Sequence, residues 1–426
     1  MRLSGVSESR GYRYLVLFAL LLVYTLNYVD RQIIGILAQP IKAELELTDT
    51  ALGVMGGLAF AIFYTTLGVP IARLADRANR KHIVAVALTL WSSFTVLCGF
   101  ATGFWSLFLA RLGVGVGEAG GTAPSWSMVA DYFPPHQRAR AMAVMTLAVP
   151  MGSAIGLFVG GFLAVHYGWR AAFIIVGLAG IVVAPLFILV VREPVRGGLD
   201  EGPPSPPQPS LGAAFAILRG KRSFWLIALA SSTGSMLTYG LQFWLPAFMQ
   251  RSLGLDLSDT SRFLGALAMT AGVAGILLGG FLGDRLGQRD RRAYVRVPGL
   301  AMLFAFPLML AALSVGNLWL VFILLMIPQA IGLIWPAPSI AVIQNLVPAS
   351  MRATALAIYL LVANMVGLGL GTLVFGALSD SLAAAYGEAS LRYAIIICTA
   401  VLYPLTSILF LAAGSTIERD WHRAED

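Results

Sequence analysis

Charge is what this sequence has least of. Asp, Glu, Lys and Arg make up 12% of its 426 residues, while 58% are hydrophobic. A soluble domain carries about twice that share of charge, so a water-covered enzyme or binding domain is excluded. Cysteine is nearly absent. Cys98 and Cys398 fall in apolar runs far apart, with no pairing or metal-ligand spacing, and read as packing residues. The four histidines, His82, His136, His166 and His422, all fall in loops or the tail. That leaves no His-Glu pair for a metal and no Ser-His-Asp arrangement. No Walker motif is present, and the glycine-rich GVGVGEAGG at 113–121 follows no strand. Neither a cofactor, nor a metal, nor an enzymatic activity is expected. Asn-x-Ser/Thr is missing too, so nothing suggests a glycosylated ectodomain.

Long apolar runs fill the space that charge leaves. Residues 83–100 and 171–191 are uncharged, and 297–351 contains no charge at all. A crossing takes about 20 helical residues, so that last run holds two. Spans are expected near 14–38, 50–73, 83–101, 105–130, 141–165, 171–191, 223–250, 263–283, 297–314, 318–345, 353–379 and 392–414. The chain therefore reads as an all-α membrane protein with twelve transmembrane helices. The net charge of +8 could suggest a nucleic-acid partner, but its distribution argues against one. With both termini inside, the inner segments carry the bases of 2–13, 73–81, 138–140, 192–222, 285–296, 352 and 419–423. The outer loops hold only Lys42, Arg170, Arg251, Arg262 and Arg392. This positive-inside bias sets the orientation, with both termini cytoplasmic; a multi-pass protein of the inner (plasma) membrane is expected, and separately a monomer.

One long hydrophilic stretch interrupts the spans. It contains GPPSPPQPS, a proline-rich extended spacer, followed by LGAAFAILRGKR, which reads as an amphipathic helix on the inner membrane face. The expected domains are a six-helix bundle over 1–191, a cytoplasmic linker over 192–222, a second six-helix bundle over 223–414 and a tail over 415–426. The halves repeat each other. ARLADRANRK after the second span matches GFLGDRLGQR after the eighth, 208 residues on. PPHQRARA before the fifth matches PASMRATA before the eleventh, 214 residues on.

Four charged residues lie deep within spans: Asp30 and Arg31 in the first, Arg111 and Glu118 in the fourth. Each would cost about 2.5–3.5 kcal/mol unpaired at the membrane centre, and such residues normally face an interior or a water-filled cavity. Arg111 and Glu118 are two helical turns apart and share a face. Two acids and two bases make a neutral cluster on facing helices. Buried ion pairs are poor stabilisers, so a coupling role outweighs a purely structural one: Asp30 and Glu118 as proton carriers, Arg31 and Arg111 as their partners and as receptors for an anionic group.

The seventh span carries Ser231, Ser235, Thr238 and Gln242 on one helical face, with Tyr239, Phe243 and Trp244 beside it and a break marked by Pro246. The tenth contains IWPAP, where Trp335 precedes two prolines. Ser235, Thr238, Tyr239, Gln242, Phe243 and Trp335 are the expected cavity wall. Gly152, Gly156, Gly160 and Gly161 in the fifth span read as close helix approach.

At the repeated loops the chain resembles the major facilitator superfamily over essentially its whole length. The resemblance implies two six-helix bundles with the substrate site between them, near the midplane. The superfamily's loop signature is matched by Gly280, Leu282, Asp284, Arg285, Gly287 and Arg289. The first copy has Ala72 and Asn79 where glycines are usual. By resemblance, Asp76, Arg77 and Arg80, with Asp284, Arg285 and Arg289, form the inner gate. Asn27, Tyr28, Asp30 and Arg31, together with Arg111, Gly115, Glu118 and Ala119, are similar to motifs of two groups in that superfamily. One is the spinster family, which moves lysophospholipids and sphingoid phosphates. The other is the anion:cation symporters, which move hexuronates and similar anions. The stretch 117–143 looks more like spinster. The expected function is a proton-linked secondary transporter of an amphipathic, anionic lipid by alternating access. The alternatives are a proton-coupled symporter of small organic anions and, from another class, a passive channel or lipid scramblase.

Overall fold

A computed structural model describes residues 9–199, 211–287, 290–348 and 351–421, with the side chains of 211–214 and 280–287 left aside. The first half comprises α1 (Arg10–Ile36), α2 (Ala38–Leu45) and α3 (Asp49–Gly53), which runs through a π-helical turn (Val54–Leu58) into α4 (Ala59–Ala75). It continues with α5 (Arg80–Cys98), α6 (Phe104–Glu118), α7 (Thr122–Tyr132), α8 (Pro135–Thr146) and α9 (Ala148–Val190). The second comprises α10 (Leu211–Arg219), α11 (Arg222–Leu253), α12 (Leu257–Gly287), α13 (Ala293–Ser314), α14 (Leu318–Ile331), α15 (Pro336–Asn345), α16 (Arg352–Tyr386) and α17 (Ser390–Asp420). No strand occurs among the described residues. Inside a bilayer the backbone must satisfy its own polar groups, and the helix does so within one segment. Where helices begin, side-chain oxygens of Ser9, Thr48, Asn79 and Asn317 accept from backbone N–H groups that the first turn leaves free.

Eight helical stretches are long and apolar enough to cross a membrane. Two of them, Pro135–Val190 and Arg352–Asp420, hold 56 and 69 residues, too many for one crossing at about 20 residues each. They turn at Gly168 and Gly387, both with φ in the left-handed region, +84° and +53°, where a glycine has no Cβ to clash. The remaining two traverses, α6–α7 and α11, fall short of the apolar criterion because they carry Arg111 and Glu118 or a run of Ser, Thr and Gln. The order is consistent with the twelve expected spans. Pro246 does not break the seventh: α11 passes through it unbroken. The tenth does break, between α14 and the start of α15 at Pro336. Of the linker, 200–210 lies outside the described residues, while α10 forms where the amphipathic helix was expected.

Packing runs mainly within each half. α1 and α5 pack on α9, and α4 and α5 on α6; α16 and α17 pack on α11, and α13 on α17. Gly152 and Gly156 sit so close to α1 that a Cβ would approach the Thr25 and Val29 carbonyls within 3 Å. Of the expected close-approach glycines, Gly152, Gly156 and Gly160 thus face α1, while Gly161 meets Ser261 of α12. The outer surface is apolar, with Phe18, Phe100, Trp105, Leu189, Trp319 and Ile408 all more than 60% exposed, which suits lipid and not water.

With an even number of traverses, the first and last described residues, Ser9 and Trp421, lie at one end of the molecule, called here the terminal end. There Lys221 Nζ donates to the Asp420 carbonyl and the Tyr12 hydroxyl donates to the Val190 carbonyl. At the opposite, far end the two halves meet.

Candidate functional site

The centre of the molecule holds one ion pair and several buried polar atoms without partners. Arg31 Nε donates to Glu118 Oε2 at 2.8 Å, with side chains 10% and 0% exposed. The Arg31 guanidinium also lies over three rings, Tyr28 at 5.2 Å, Phe60 at 4.8 Å and Tyr64 at 4.5 Å. Rings face a cation with their negative quadrupole, a contact that gains strength once water is excluded. Phe60 and Tyr64 stack at 5.0 Å, as residues one helical turn apart can. Arg111 lies at 5.7 Å over the same Phe60 ring, so one ring serves both arginines. The π-helical turn just before Phe60 is permitted by Gly56 and Gly57, which bring the chain against Phe243 and Thr372.

Asp30 takes a different place from Arg31, as neighbours on a helix must. It is buried beside Trp91 and Thr95 of α5, with Arg111 and Glu118 nearby. Asp30 Oδ1, Glu118 Oε1, Arg111 Nε, both polar atoms of the Asn27 amide and the Trp91 indole N–H have no hydrogen-bond partner among the described residues. Each such group costs about 1–3 kcal/mol when left unsatisfied. A dense set of them marks a place built for something besides packing.

One cavity opens on this cluster, and a second shares part of its wall. The first is lined by Tyr28, Arg31, Phe60, Arg111, Tyr239 and Phe243, with Gln32 and Gln242. The second shares Gln32 and Gln242 and is otherwise mainly apolar, with Leu157, Leu245, Leu264, Leu267, Ala268 and Leu333 on its wall and Thr238 and Gln329 among them. Gln32 Nε2 donates to Gln242 Oε1 at 3.4 Å across the junction of the halves. Of the residues expected to line a cavity, Thr238, Tyr239, Gln242 and Phe243 do so. Ser235 and Trp335 line neither of these two. Ser235 packs against Gly367 of α16, and Trp335 lies near Gly234 of α11. The helical period puts Ser231, Ser235, Thr238 and Gln242 on one face of α11, and α16 takes the Ser231–Ser235 end of it.

At the terminal end Arg80 is buried and donates to Asp131 Oδ2 at 2.5 Å, Glu193 Oε1 at 2.7 Å and Ser127 Oγ at 2.8 Å. Arg196 donates to the carbonyls of Asp76 and Ala78. Asp76 and Arg77 are exposed, and neither side chain makes an ion pair with another described residue. The side chains of Asp284 and Arg285, and Arg289 altogether, lie outside the described residues. Every described hydrogen bond that joins one half to the other lies at Gln32–Gln242 or beyond it, toward the far end.

Sequence reasoning missed Tyr64, Phe60 and Gln32. The i,i+4 spacing of the two rings within an apolar run, and a Gln directly after the Asp-Arg pair, were the available signals.

Residues 20–372 match the family model of the Major Facilitator Superfamily. The chain belongs to that superfamily. It is 39% identical over 401 residues to an MFS-type efflux pump of Mycolicibacterium smegmatis, spanning 94% of this chain and 92% of the other. It is 26% identical over 412 residues to the sphingosine-1-phosphate transporter SPNS2 of Danio rerio, spanning 91% and 81%. Its structure superposes with a TM-score of 0.86, at 30% identity and over 98% of this chain and 100% of the other, on a bacterial homolog of the human lysosomal transporter Spinster in an inward-facing, unoccupied conformation. The protein is a multi-pass membrane transporter of the spinster type and not an enzyme.

Proposed function

We propose that the protein is a proton-linked secondary transporter of an amphipathic, anionic lipid, such as a lysophospholipid or a sphingoid phosphate. One observation carries this reading. The Arg31–Glu118 pair and its aromatic wall share Gln32 and Gln242 with an apolar chamber. A ligand with a charged head and a hydrocarbon tail matches both parts, whereas a sugar acid leaves the apolar chamber without a partner. The relative that transports sphingosine-1-phosphate supports the same class.

The mechanism is an exchange of partners. A carboxylate beside an arginine is held ionised, and a buried one without a counter-charge favours its neutral form. A phosphate that draws Arg31 away leaves Glu118 to take up a proton, and Asp30 with Arg111 forms the second acid–base set. Proton and substrate then bias the same equilibrium between two conformations. Asp76, Arg77 and Arg80 with Asp284, Arg285 and Arg289 act at the inner gate. Exposure of Asp76 fits a state in which that gate is open. On the positive-inside rule the bases clustered at the terminal end assign both termini to the cytoplasm; with that assignment the state would be inward-facing, like that of the structural relative. The unit is a monomer in the inner (plasma) membrane, with a bundle on either side of the 192–222 linker.

Purified protein in liposomes, offered lysophospholipid, sphingoid phosphate or hexuronate under an imposed pH gradient, tests the reading. Uptake of the lipids alone, driven by the gradient, supports it. Uptake of hexuronate alone points to the organic-anion symporter. Lipid equilibration indifferent to the gradient points to a passive scramblase.

A further inference from the structure

Gln32 and Gln242 are counterparts in the two halves. They stand 210 residues apart, the offset that also relates Leu47-Thr48-Asp49-Thr50 to Leu257-Ser258-Asp259-Thr260. Each lies on the opening span of its half, α1 and α11. Gln32 Nε2 donates to Gln242 Oε1 at 3.4 Å, and neither amide makes another hydrogen bond among the described residues. Equivalent residues that touch lie on the axis relating the halves, around the site about which the halves rock. The backbones close up beside them, where a Cβ on Gly35 would stand 3.4 Å from the Phe243 Cα. Arg31 has no such counterpart, for Leu241 occupies the matching position. The repeat thus keeps the amide in both halves and the charge in one.

We propose that this amide pair is a specificity element for the part of the ligand between head and tail, reading the hydroxyl, ester or amine groups that join a phosphate to its hydrocarbon chain. Such a role rests on the lipid reading above and adds a third point of recognition to it. Three observations support it. The first is position. Both amides line the cavity that holds Arg31 and also the apolar chamber, so a ligand reaching from one to the other passes them. Gln32 directly follows Arg31, which sets its amide beside the atoms next to a head held by the guanidinium.

The second is chemistry. An amide offers an acceptor oxygen and two donors without charge. A base here would draw the phosphate away from Arg31, and an acid would repel it, whereas a neutral amide leaves the head to the arginine. Its oxygen can accept from a hydroxyl or an ammonium, and its N–H groups can donate to a hydroxyl or an ester oxygen. Thr238 on the same wall has already given its hydrogen to the Gly234 carbonyl at 3.0 Å and can only accept.

The third is availability. Bonds of the N–H···O kind centre on about 2.9–3.0 Å, so the amide contact is stretched, and it occupies one donor and one acceptor of the pair. The Gln32 oxygen and the Gln242 amino group remain free. Gln32 is 7% exposed, and a buried amide with free hydrogen-bonding groups is costly until a partner arrives. Trading one stretched bond for two bonds to a ligand favours a ligand with matching groups. A chain without them leaves the amides unpaired and is rejected.

Equilibrium binding to the purified full chain in nanodiscs tests this with three ligands matched in chain length. They are a lysophosphatidate, a sphingoid phosphate and an n-alkyl phosphate, which has the head and the chain but no polar link. The parent should bind the first two more tightly than the third. In Gln32→Leu/Gln242→Leu that preference should fall by about tenfold, the worth of two ordinary hydrogen bonds. Partitioning into the bilayer is common to parent and variant and cancels in the comparison. Continued binding of the alkyl phosphate shows that the variant is folded. An unchanged preference in the double variant overturns the proposal. Equal losses for all three ligands overturn it too, because they place the phosphate itself on the amides. Binding of none of the three by the parent removes the lipid reading and this role with it, whereas binding of all three without preference removes this role alone. If the double variant is not monodisperse, Gln242→Leu alone must lower the preference, and no change there overturns the proposal equally.

Discussion

Arg31 and Glu118 are 87 residues apart, on α1 and α6, and their side chains meet at 2.8 Å inside a wall of three aromatic rings. A cation so placed has a partner for its charge and a surface for its flat faces. Its side chain is only 10% exposed, so in the mechanism proposed above an anionic headgroup competes with Glu118 for a largely desolvated cation.

Glu118→Gln is expected to keep the fold and remove the pH dependence of transport, because the amide cannot carry the proton that partner exchange requires. Uptake into liposomes measured across pH 5 to 9 on the order of unit steps would decide it, as carboxylates perturbed by burial titrate within or near that range. A profile identical to the parent protein's sinks the coupling role.

Arg31→Ala should weaken anionic ligands far more than neutral ones of the same chain length. Truncating one partner of a buried charge pair costs about 2–5 kcal/mol, so a loss of binding of roughly tenfold or more is expected for the phosphate-bearing lipid. Equal losses for charged and neutral ligands would show that Arg31 only supports the wall. Arg111→Ala is expected to act in the same direction, more weakly, since it touches Phe60 at longer range.

Asp30→Asn probes the second acid separately. Asp30 lies beside Trp91 and Thr95 of α5, so its amide can be accommodated there without loss of packing. Transport at the parental rate with an unaltered pH profile would make this carboxylate structural and confine coupling to Glu118.

Ala268→Phe should fill the apolar chamber next to Leu264 and Leu267. Long-chain lipid transport is expected to fall steeply, while Arg31 and Glu118 remain untouched. Competition assays with a graded chain-length series check it: a loss independent of chain length contradicts the assignment of the tail.

Arg80→Ala removes the common partner of Asp131 and Glu193 and leaves two acids facing each other at the terminal end. A destabilisation of about 3–5 kcal/mol is expected for breaking a buried pair, read as a lower Tm in detergent. Retention of the parental Tm would show that water at the terminal end replaces Arg80 as the partner of both acids.

Much of this protein follows from its sequence alone. Apolar runs too long for a core helix require membrane crossings, and the repeated loops require two related halves. Charges deep in a span must face an interior, because lipid offers them nothing. Those arguments need only local spacing and solvation, and they reach the fold, Arg31, Glu118 and most of the α11 stripe. Tertiary structure decided the rest. Helix rotation sent Asp30 toward α5 and Arg31 toward the cavity, and it turned Ser235 against α16. Helix break and bulge geometry set Phe60 and Tyr64 around the guanidinium. The far-end ion pair of Asp49 with Arg251 was invisible because each reads as an ordinary loop-end charge. What joins them is the approach of two halves that sequence spacing cannot register, since the distance between separate helices is fixed by packing and not by the chain.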